Sequence, residues 1–284
     1  MNPFTFDAKQ LDFAIRATSA PGVDWLENLH IFDAVDSTNN KAKEMAEAGC
    51  PHGTIIIANT QSMGRGRMGR SFHSPPGKGL YMSVVLRPNC RPAELMHLTC
   101  ATGVAVMDGI YREILPAECR HIGNGPMIKW TNDIVFMHNK LGGILTELSI
   151  DSATGLVRYA ILGIGLNLFH NRSDFPAELQ DTAGSLAMFF SNHIARNHLI
   201  NSILYELHRM DRELLTSKDK IMDRYRKYCC TIGKEVSVHR FDEVRHGTAI
   251  GVDDDGALLV QFPDGHTEAI GSGEVSIRGM YGYV

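Results

Sequence analysis

Short apolar, β-branched runs separated by polar turns occur along the chain as far as Asn167, and each predicts a strand. Apolar positions at helical spacing predict helices over residues 8–16, 41–48, 94–115, 185–215 and 220–228. The last three strands follow one another without a helix between them, so the pattern indicates an α+β fold with a mixed or largely antiparallel sheet. The predicted strands cover residues 31–35, 54–58, 80–86, 128–137, 141–149 and 159–167.

The pattern changes after Cys230. Closely spaced short strands divided by Asp-Gly and Gly-Ser-Gly turns are typical of a small β-barrel. We therefore predict a larger domain over residues 1–230, with 1–29 as an N-terminal extension, and a small C-terminal β-barrel domain over 231–284. The strand candidates of this barrel are residues 235–240, 247–252, 257–262, 266–270 and 274–278.

Composition narrows the class of protein. Hydrophobic residues make up 44% and charged residues 21% of the 284 residues, which is ordinary for a globular chain. The net charge of −4 disfavours a protein that coats nucleic acid, and no apolar run is long enough to span a membrane. The six cysteines include no C-x-x-C pair, and the histidines show no zinc-ligand spacing. We expect a cytoplasmic protein without a metal site, a nucleic-acid partner or a membrane partner.

Glycine and arginine alternate over residues 64–70, between two predicted strands. The surrounding stretch 61–80 carries four positive charges and no acidic residue. Arginine forks bind phosphates and carboxylates, and glycines let a backbone wrap closely around a ligand. The alternatives are an anion-binding ligand loop and a flexible basic segment of the kind that contacts nucleic acid. The segment is not a Walker A loop, because that pattern is absent.

A second candidate is Lys129, which stands among strand-forming residues beside one of the two tryptophans. Lys-Trp-Thr-Asn-Asp at 129–133 is followed by Lys-Leu-Gly-Gly-Ile-Leu-Thr-Glu at 140–147. Two interpretations are open. The lysine either extends from a sheet edge into solvent, or it stabilises the negative charge that develops when a carboxylate attacks a phosphate.

Two further features are weak evidence for a ligand site when each is taken alone. Gly163 and Gly165 interrupt a strand pattern, which indicates either a turn or a ligand that approaches the backbone. Asp-Ser-Thr-Asn at 36–39 precedes a helix, where such residues cap the first turn. A helix N-terminus also presents free N–H groups to an anion or a ureido carbonyl, so capping and binding are compatible here.

In this order along the chain, the four features resemble the biotin protein ligase family, the biotin–[acetyl-CoA-carboxylase] ligases. The resemblance covers residues 31–167 and, more loosely, the C-terminal barrel. It is closest to the short form that lacks an N-terminal helix-turn-helix domain. It implies a catalytic domain of the class II aminoacyl-tRNA synthetase-like biotin/lipoate ligase fold, followed by an SH3-like barrel.

The resemblance also implies a reaction. Biotin is joined to AMP with ATP and Mg²⁺, without a permanently bound cofactor, and the biotinyl group is then transferred to a lysine of a biotin carboxyl carrier protein. Lys129, Arg65 and Arg67 are the implied catalytic residues. The implied biotin-binding set is Ser37, Thr38, Asn39, Gln61, Arg65, Gly66, Arg67, Lys129, Gly163 and Gly165. The implied ATP- and phosphate-binding set is Arg67, Arg70, Phe72, Lys129, Asn132, Lys140 and Asn167.

The sequence departs from the family pattern at three positions. Family members often carry Arg or Lys where Met68 stands, Trp where Phe72 stands and Pro where Thr131 stands. None of these changes removes a reacting group.

The rival assignment is a lipoate or octanoate ligase or transferase, which shares the architecture but lacks this Gly-Arg loop and the 129–133 block. About thirty residues precede the first predicted strand, too few for a DNA-binding domain, so we expect no repressor role. Monomer and homodimer both remain open.

Overall fold

The computed structural model describes residues 7–19, 22–115, 125–190, 194–240, 243–271 and, for the backbone, 276–279. The first two residues of the last predicted strand, Glu274 and Val275, lie outside this part of the chain. No helix within the described part is long and apolar enough to cross a membrane.

A seven-stranded mixed sheet forms the centre of the larger part of the chain. In space its strands follow the order β1-β2-β3-β7-β6-β5-β4. β1 and β2 are parallel, and every other neighbouring pair is antiparallel. The predicted α+β class with a mixed sheet is therefore confirmed. The strands are β1 (Leu29–Val35), β2 (Thr54–Gln61), β3 (Gly79–Leu86), β4 (Met127–Lys129), β5 (Asp133–Phe136), β6 (Asn139–Ile150) and β7 (Val157–Asn167).

Helices cover both faces of this sheet. Along β2, Ile56 packs with Ala42 and Ala46 of one helix, whereas Ile55 and Ile57 belong to the main core on the opposite face. Because both faces are buried, the strand has a continuous apolar run instead of an alternating one. The helices are α1 (Ala8–Thr18), α2 (Thr38–Glu47), α3 (Leu98–Ile114), α4 (Leu186–Phe189), α5 (Arg196–Glu213) and α6 (Lys218–Tyr228).

The prediction of one continuous strand over residues 128–137 is wrong. β4 ends at Lys129 and β5 begins at Asp133, and these two residues face each other across a short antiparallel hairpin. Between the two strands the backbone leaves the ladder, since the Trp130 amide donates a 2.9 Å hydrogen bond to Thr231 Oγ1. The hairpin places Lys129 and Asp133 side by side at the edge of the sheet.

The N-terminal extension packs against α5. Ile15 of α1 is fully buried, and its carbonyl accepts a 2.9 Å hydrogen bond from Asn201 Nδ2. A 3₁₀ turn at Asp24–Asn28 follows, and its Leu26 carbonyl accepts a 2.6 Å hydrogen bond from Arg16. The described part of the extension therefore contributes to the hydrophobic core around the large sheet.

The C-terminal strands form a separate five-stranded antiparallel sheet in the order β11-β10-β9-β8-β12. Val236, Val238, Ala249, Leu258 and Val260 are almost fully buried and supply its core. This is the small C-terminal β unit that the turn spacing predicts. Its strands are β8 (Glu235–Arg240), β9 (Glu243–Val252), β10 (Leu258–Gln261), β11 (Thr267–Ile270) and β12 (Ser276–Gly279).

The acidic turn at residues 253–256 joins this small sheet to the rest of the protein. The Gly256 carbonyl accepts a 2.9 Å hydrogen bond from Trp130 Nε1 in the β4–β5 hairpin. The small sheet thus directly contacts the residue that follows Lys129. Two ion pairs fasten the same turn to α6, namely Asp254 with Arg226 and Asp255 with Lys218.

Candidate active site

A cavity of about 990 Å³ opens between the first turn of α2, the Gly-Arg segment and the β4–β5 hairpin. β6 and β7 form its floor. Every residue to which the sequence analysis gives a role in binding or catalysis lines this cavity, although the motifs are far apart along the chain. These residues are Ser37, Thr38, Asn39, Gln61, Arg65, Gly66, Arg67, Arg70, Phe72, Lys129, Asn132, Lys140, Gly163, Gly165 and Asn167.

One end of the cavity is polar and is built by the first turn of α2. The amide and the hydroxyl of Thr38 both donate to Gln61 Oε1, at 2.8 and 3.2 Å. Asn39 Oδ1 lies 2.7 Å from Ser83 Oγ. Ser37 occupies the N-cap position, but its side chain makes no capping hydrogen bond to the helix. This polar end offers hydroxyl, amide and helix N–H groups to a ligand.

Two serines behind the polar end were missed by the sequence analysis. Ser83 is fully buried within the otherwise apolar β3, and Ser74 Oγ accepts a 2.9 Å hydrogen bond from Gln61 Nε2. A hydroxyl in the middle of a buried strand needs a partner, so the position of Ser83 was a usable signal. Ser74 stands in the loop after the Gly-Arg segment, where nothing in the sequence distinguishes it.

Gly163 and Gly165 form the floor of the cavity in the middle of β7. A Cβ atom at Gly163 would lie 2.1 Å from Asn39 Oδ1, and one at Gly165 would lie 2.8 Å from the Phe72 ring. Both distances are too short for any side chain, so the glycines permit α2 and the Phe72 ring to approach the sheet. β7 continues through both positions, which excludes the alternative of a turn.

The Gly-Arg segment, residues 64–70, folds back on itself at the rim of the cavity. The Gly66 amide donates a 2.7 Å hydrogen bond to the Arg70 carbonyl. Met68 stands at the tip with a φ angle of 55°, and the residue is 66% exposed. Met68 therefore lies at the outer end of the segment.

Basic side chains surround the middle of the cavity. Arg67 donates a 3.0 Å hydrogen bond to Asn132 Oδ1, and Lys140 Nζ pairs with Asp133 Oδ1 at 2.6 Å. The excess of positive charge suits a ligand set with more than one anionic group. The five lysine and arginine side chains on the wall are Arg65, Arg67, Arg70, Lys129 and Lys140.

Burial lowers the pKa of two of these side chains, Lys129 and Arg67. Desolvation lowers the pKa of Lys129 below its ordinary value, and the nearby Asp133 carboxylate opposes the shift. The pKa of Arg67 is lowered for the same reason, again with Asp133 acting in the opposite direction. Partly desolvated cations interact more strongly with an arriving anion than hydrated ones do. Lys129 is half-buried and lines the cavity, which favours the interpretation that it faces a ligand over that of a surface lysine.

Asn167, the last residue of β7, also lines the cavity. Its Nδ2 donates a 2.9 Å hydrogen bond to the Gly184 carbonyl. This bond fastens the segment after β7 to the cavity wall, so the amide nitrogen of Asn167 already has a structural partner. Its expected contact with the phosphates stays a prediction.

Comparisons with known proteins give the family. The profile described as biotin/lipoate A/B protein ligase family matches residues 31–167, and that of the biotin protein ligase C-terminal domain matches residues 231–278. The bifunctional ligase/repressor BirA of Bacillus spizizenii is 35% identical over 234 residues, which are 82% of this chain and 69% of BirA. The biotin–[acetyl-CoA-carboxylase] ligase of Mycobacterium tuberculosis is 29% identical, with 89% of this chain and 90% of that protein covered.

A solved structure agrees with these relatives. The biotin protein ligase from Aquifex aeolicus in complex with biotin and ATP has a TM-score of 0.72 and 27% identity, over 89% of this chain and 99% of that chain. The fold and the family matches define a protein ligase of the biotin/lipoate class. The chain belongs to the biotin protein ligase family. Among the described residues before Leu29, the only α-helix is α1.

Proposed function

We propose that the protein activates biotin with ATP as biotinyl-5′-AMP and then transfers the biotinyl group to a lysine of a biotin carboxyl carrier protein. The observation that carries this proposal is the joining of a polar end and a cation-lined middle in one cavity. Thr38, Asn39 and Gln61 suit the ureido head of biotin. The cations suit a carboxylate held beside a phosphate. The Aquifex aeolicus relative, whose fold is similar, was solved with biotin and ATP.

In the first step, a carboxylate oxygen of biotin attacks the α-phosphorus of ATP. The bond to the β-phosphate oxygen breaks, and pyrophosphate leaves with the electron pair. The substrate carboxylate is itself the nucleophile, so the protein has to position two anions and offset their charge. Lys129, Arg65 and Arg67 are proposed to do so, because all three line the cavity and Lys129 and Arg67 are partly desolvated.

Mg²⁺ is proposed to enter with the ATP phosphates, where it would neutralise charge. Within the described ranges, no group of three His, Cys, Asp or Glu side chains is placed to hold a metal ion. The protein's own contribution on this side is Lys140, which Asp133 holds at the cavity wall through the 2.6 Å ion pair. Arg70, Phe72, Asn132 and Asn167 complete the proposed nucleotide site.

In the second step, the lysine amine of the carrier attacks the carbonyl carbon of the mixed anhydride. The bond to the AMP oxygen breaks, AMP leaves, and the nitrogen loses a proton to give an amide. The Gly-Arg segment at the rim is proposed to keep water from the anhydride.

We further propose residues 1–230 as the catalytic domain and 231–284 as the C-terminal domain of a cytoplasmic enzyme. Its partner is the carrier subunit of acetyl-CoA carboxylase or of another biotin-dependent carboxylase.

Biotin is expected to bind more tightly than lipoate or octanoate, which are the acids of the rival assignment. A fatty acid tail cannot hydrogen-bond with the polar end of the cavity, so each hydrogen bond that the ureido group makes there would be missing, at about 0.5–1.5 kcal/mol each. Calorimetric titration with the three acids measures this preference, and acid-dependent pyrophosphate release from ATP measures the reaction. Tighter binding of octanoate, with octanoate-dependent pyrophosphate release, would assign the protein to the rival class.

Pyrophosphate release is expected to fall at alkaline pH, beginning at a lower pH than an ordinary lysine would give. Lys129 has to be charged to offset the anions, and burial lowers its pKa in the free protein. As the pH rises through that lowered pKa, the proton is lost and kcat/KM falls. Bound anions favour the charged form, so kcat should fall only at higher pH.

The control for this pH dependence is Lys129→Arg, because a guanidinium keeps its proton throughout the range. Rates would be measured from about pH 7 to 10, below the ordinary pKa of a lysine. If this variant retains activity and shows the same alkaline decrease as the wild-type protein, the decrease belongs to another group.

A further inference from the structure

Glu147 of β6 lies between the polar end of the cavity and the Gly-Arg segment, yet it is not part of the cavity wall. Its Oε1 lies 3.0 Å from Arg65 Nη2, and its Oε2 accepts a 3.1 Å hydrogen bond from Arg65 Nη1. A carboxylate that meets a guanidinium with both oxygens fixes its orientation as well as its distance. Glu147 therefore determines where the first arginine of the segment points.

The same carboxylate also fixes the polar end. Glu147 Oε2 accepts a 2.7 Å hydrogen bond from Asn39 Nδ2, so one oxygen atom serves both Asn39 and Arg65. Because a carboxylate can only accept, it requires the amide nitrogen of Asn39 to face it. The amide oxygen then points towards Ser83 and the floor at Gly163.

We propose that Glu147 is a positioning residue that anchors the Gly-Arg segment to the biotin end of the cavity and thereby retains the acyl-adenylate. That the retained molecule is an acyl-adenylate rests on the proposed function. The Arg65 side chain is 42% exposed and that of Glu147 is 30% exposed. An ion pair this exposed contributes about 0.2–1 kcal/mol. That energy favours one position of the Gly-Arg segment and still allows the ion pair to break. Asn40, which follows Asn39 in α2, accepts a further 3.0 Å hydrogen bond from Arg65 through its Oδ1.

The first test is limited proteolysis of the ligand-free protein by trypsin, with cleavage after Arg65 and Arg67 identified by mass spectrometry. Glu147→Gln removes the charge from the anchor and keeps an oxygen that can accept from Asn39. We expect cleavage at these two sites to become about two- to fivefold faster, the range for loss of a partly exposed ion pair. The matched control is Glu47→Gln, which breaks a partly exposed ion pair with Arg158 away from the cavity.

The second test measures escape of the adenylate. With biotin and ATP present, Glu147→Gln is expected to release biotinyl-adenylate about two- to fivefold faster, detected as biotinylation of an added bystander protein. Its KM for biotin should stay within about twofold of wild type, because the Asn39 contact survives. Glu147→Ala, which removes both contacts, should raise that KM as well. The double variant Glu147→Gln/Arg65→Ala should leak no faster than Arg65→Ala alone.

The possible outcomes separate this proposal from the proposed function. Cleavage after Arg65 and Arg67 at the wild-type rate in Glu147→Gln would overturn the anchor, and so would additive leakage in the double variant. If no variant, including wild type, releases pyrophosphate with biotin, the proposed function fails, and the trypsin result alone decides whether Glu147 anchors the segment. Faster cleavage in the control Glu47→Gln as well would show a general loss of stability and would also overturn the anchor.

Discussion

Replacing Lys129 with alanine is expected to reduce biotin-dependent pyrophosphate release by about a hundredfold or more, the usual effect of removing one donor that faces developing charge. Lys129 ends β4 at the cavity wall, and the β4–β5 hairpin sets it opposite Asp133. Without its charge, the carboxylate and the α-phosphate would have to approach each other with less compensation. The rate would be measured with saturating biotin and ATP, so that a change in binding alone does not account for the loss.

The control for this substitution is Lys43→Ala. Lys43 is exposed on α2 and does not line the cavity, so its loss should change neither the rate nor the melting temperature. If Lys129→Ala remains folded, with an unchanged melting temperature and nearly the wild-type rate, the lysine has a structural role only, and the proposed first step loses its central residue.

The Gly163→Ala substitution is expected to weaken biotin binding by about fivefold or more. Its Cβ would lie 2.1 Å from Asn39 Oδ1, so either the sheet or the asparagine has to move. Asn39 cannot move freely, since it is bonded to Ser83 on one side and to Glu147 on the other. Overpacking of this kind costs about 1–3 kcal/mol. The affinity would be read by calorimetric titration of the folded variant.

Gly251→Ala is the matched control for Gly163→Ala. Gly251 also lies within a strand, but a Cβ there would make only an ordinary 3.6 Å contact with Leu259. Biotin affinity should be unchanged in that variant. Wild-type affinity in a folded Gly163→Ala protein would mean that the floor of the cavity is not the biotin site.

The parts of the fold that the sequence predicts correctly are those with a strong local signal. β2, β3 and β7 are buried on both faces, so their apolar runs are continuous and easy to recognise. The Gly-Arg segment is recognisable because glycine and arginine alternate in it, a pattern that suits anion binding. Its position at the rim of one cavity with Lys129 could be expected only through the family resemblance.

The features that the sequence does not predict depend on distant partners. The break in the strand at Trp130 comes from a hydrogen bond to Thr231, 101 residues further along the chain. The contact between Asn39 and Glu147, on which the proposed anchor rests, depends on how closely α2 approaches β6, and no short window of sequence contains that information. Ser83 is partly predictable from the sequence. A serine within an apolar strand indicates that the hydroxyl has a partner, but the sequence does not identify that partner as Asn39.

The hydrogen bond from Trp130 to Gly256 has a consequence for the order of events during translation. The two residues are 126 positions apart, so a ribosome adding about 5–20 residues per second makes the acceptor on the order of 6 to 25 seconds after the donor. The strands of the large sheet are all complete by Asn167 and can pair while the rest is still being synthesised. The hairpin that carries Lys129 receives its last contact only when the turn at 253–256 has left the exit tunnel. A nascent chain should therefore acquire its large sheet well before it completes the cavity wall that carries Lys129.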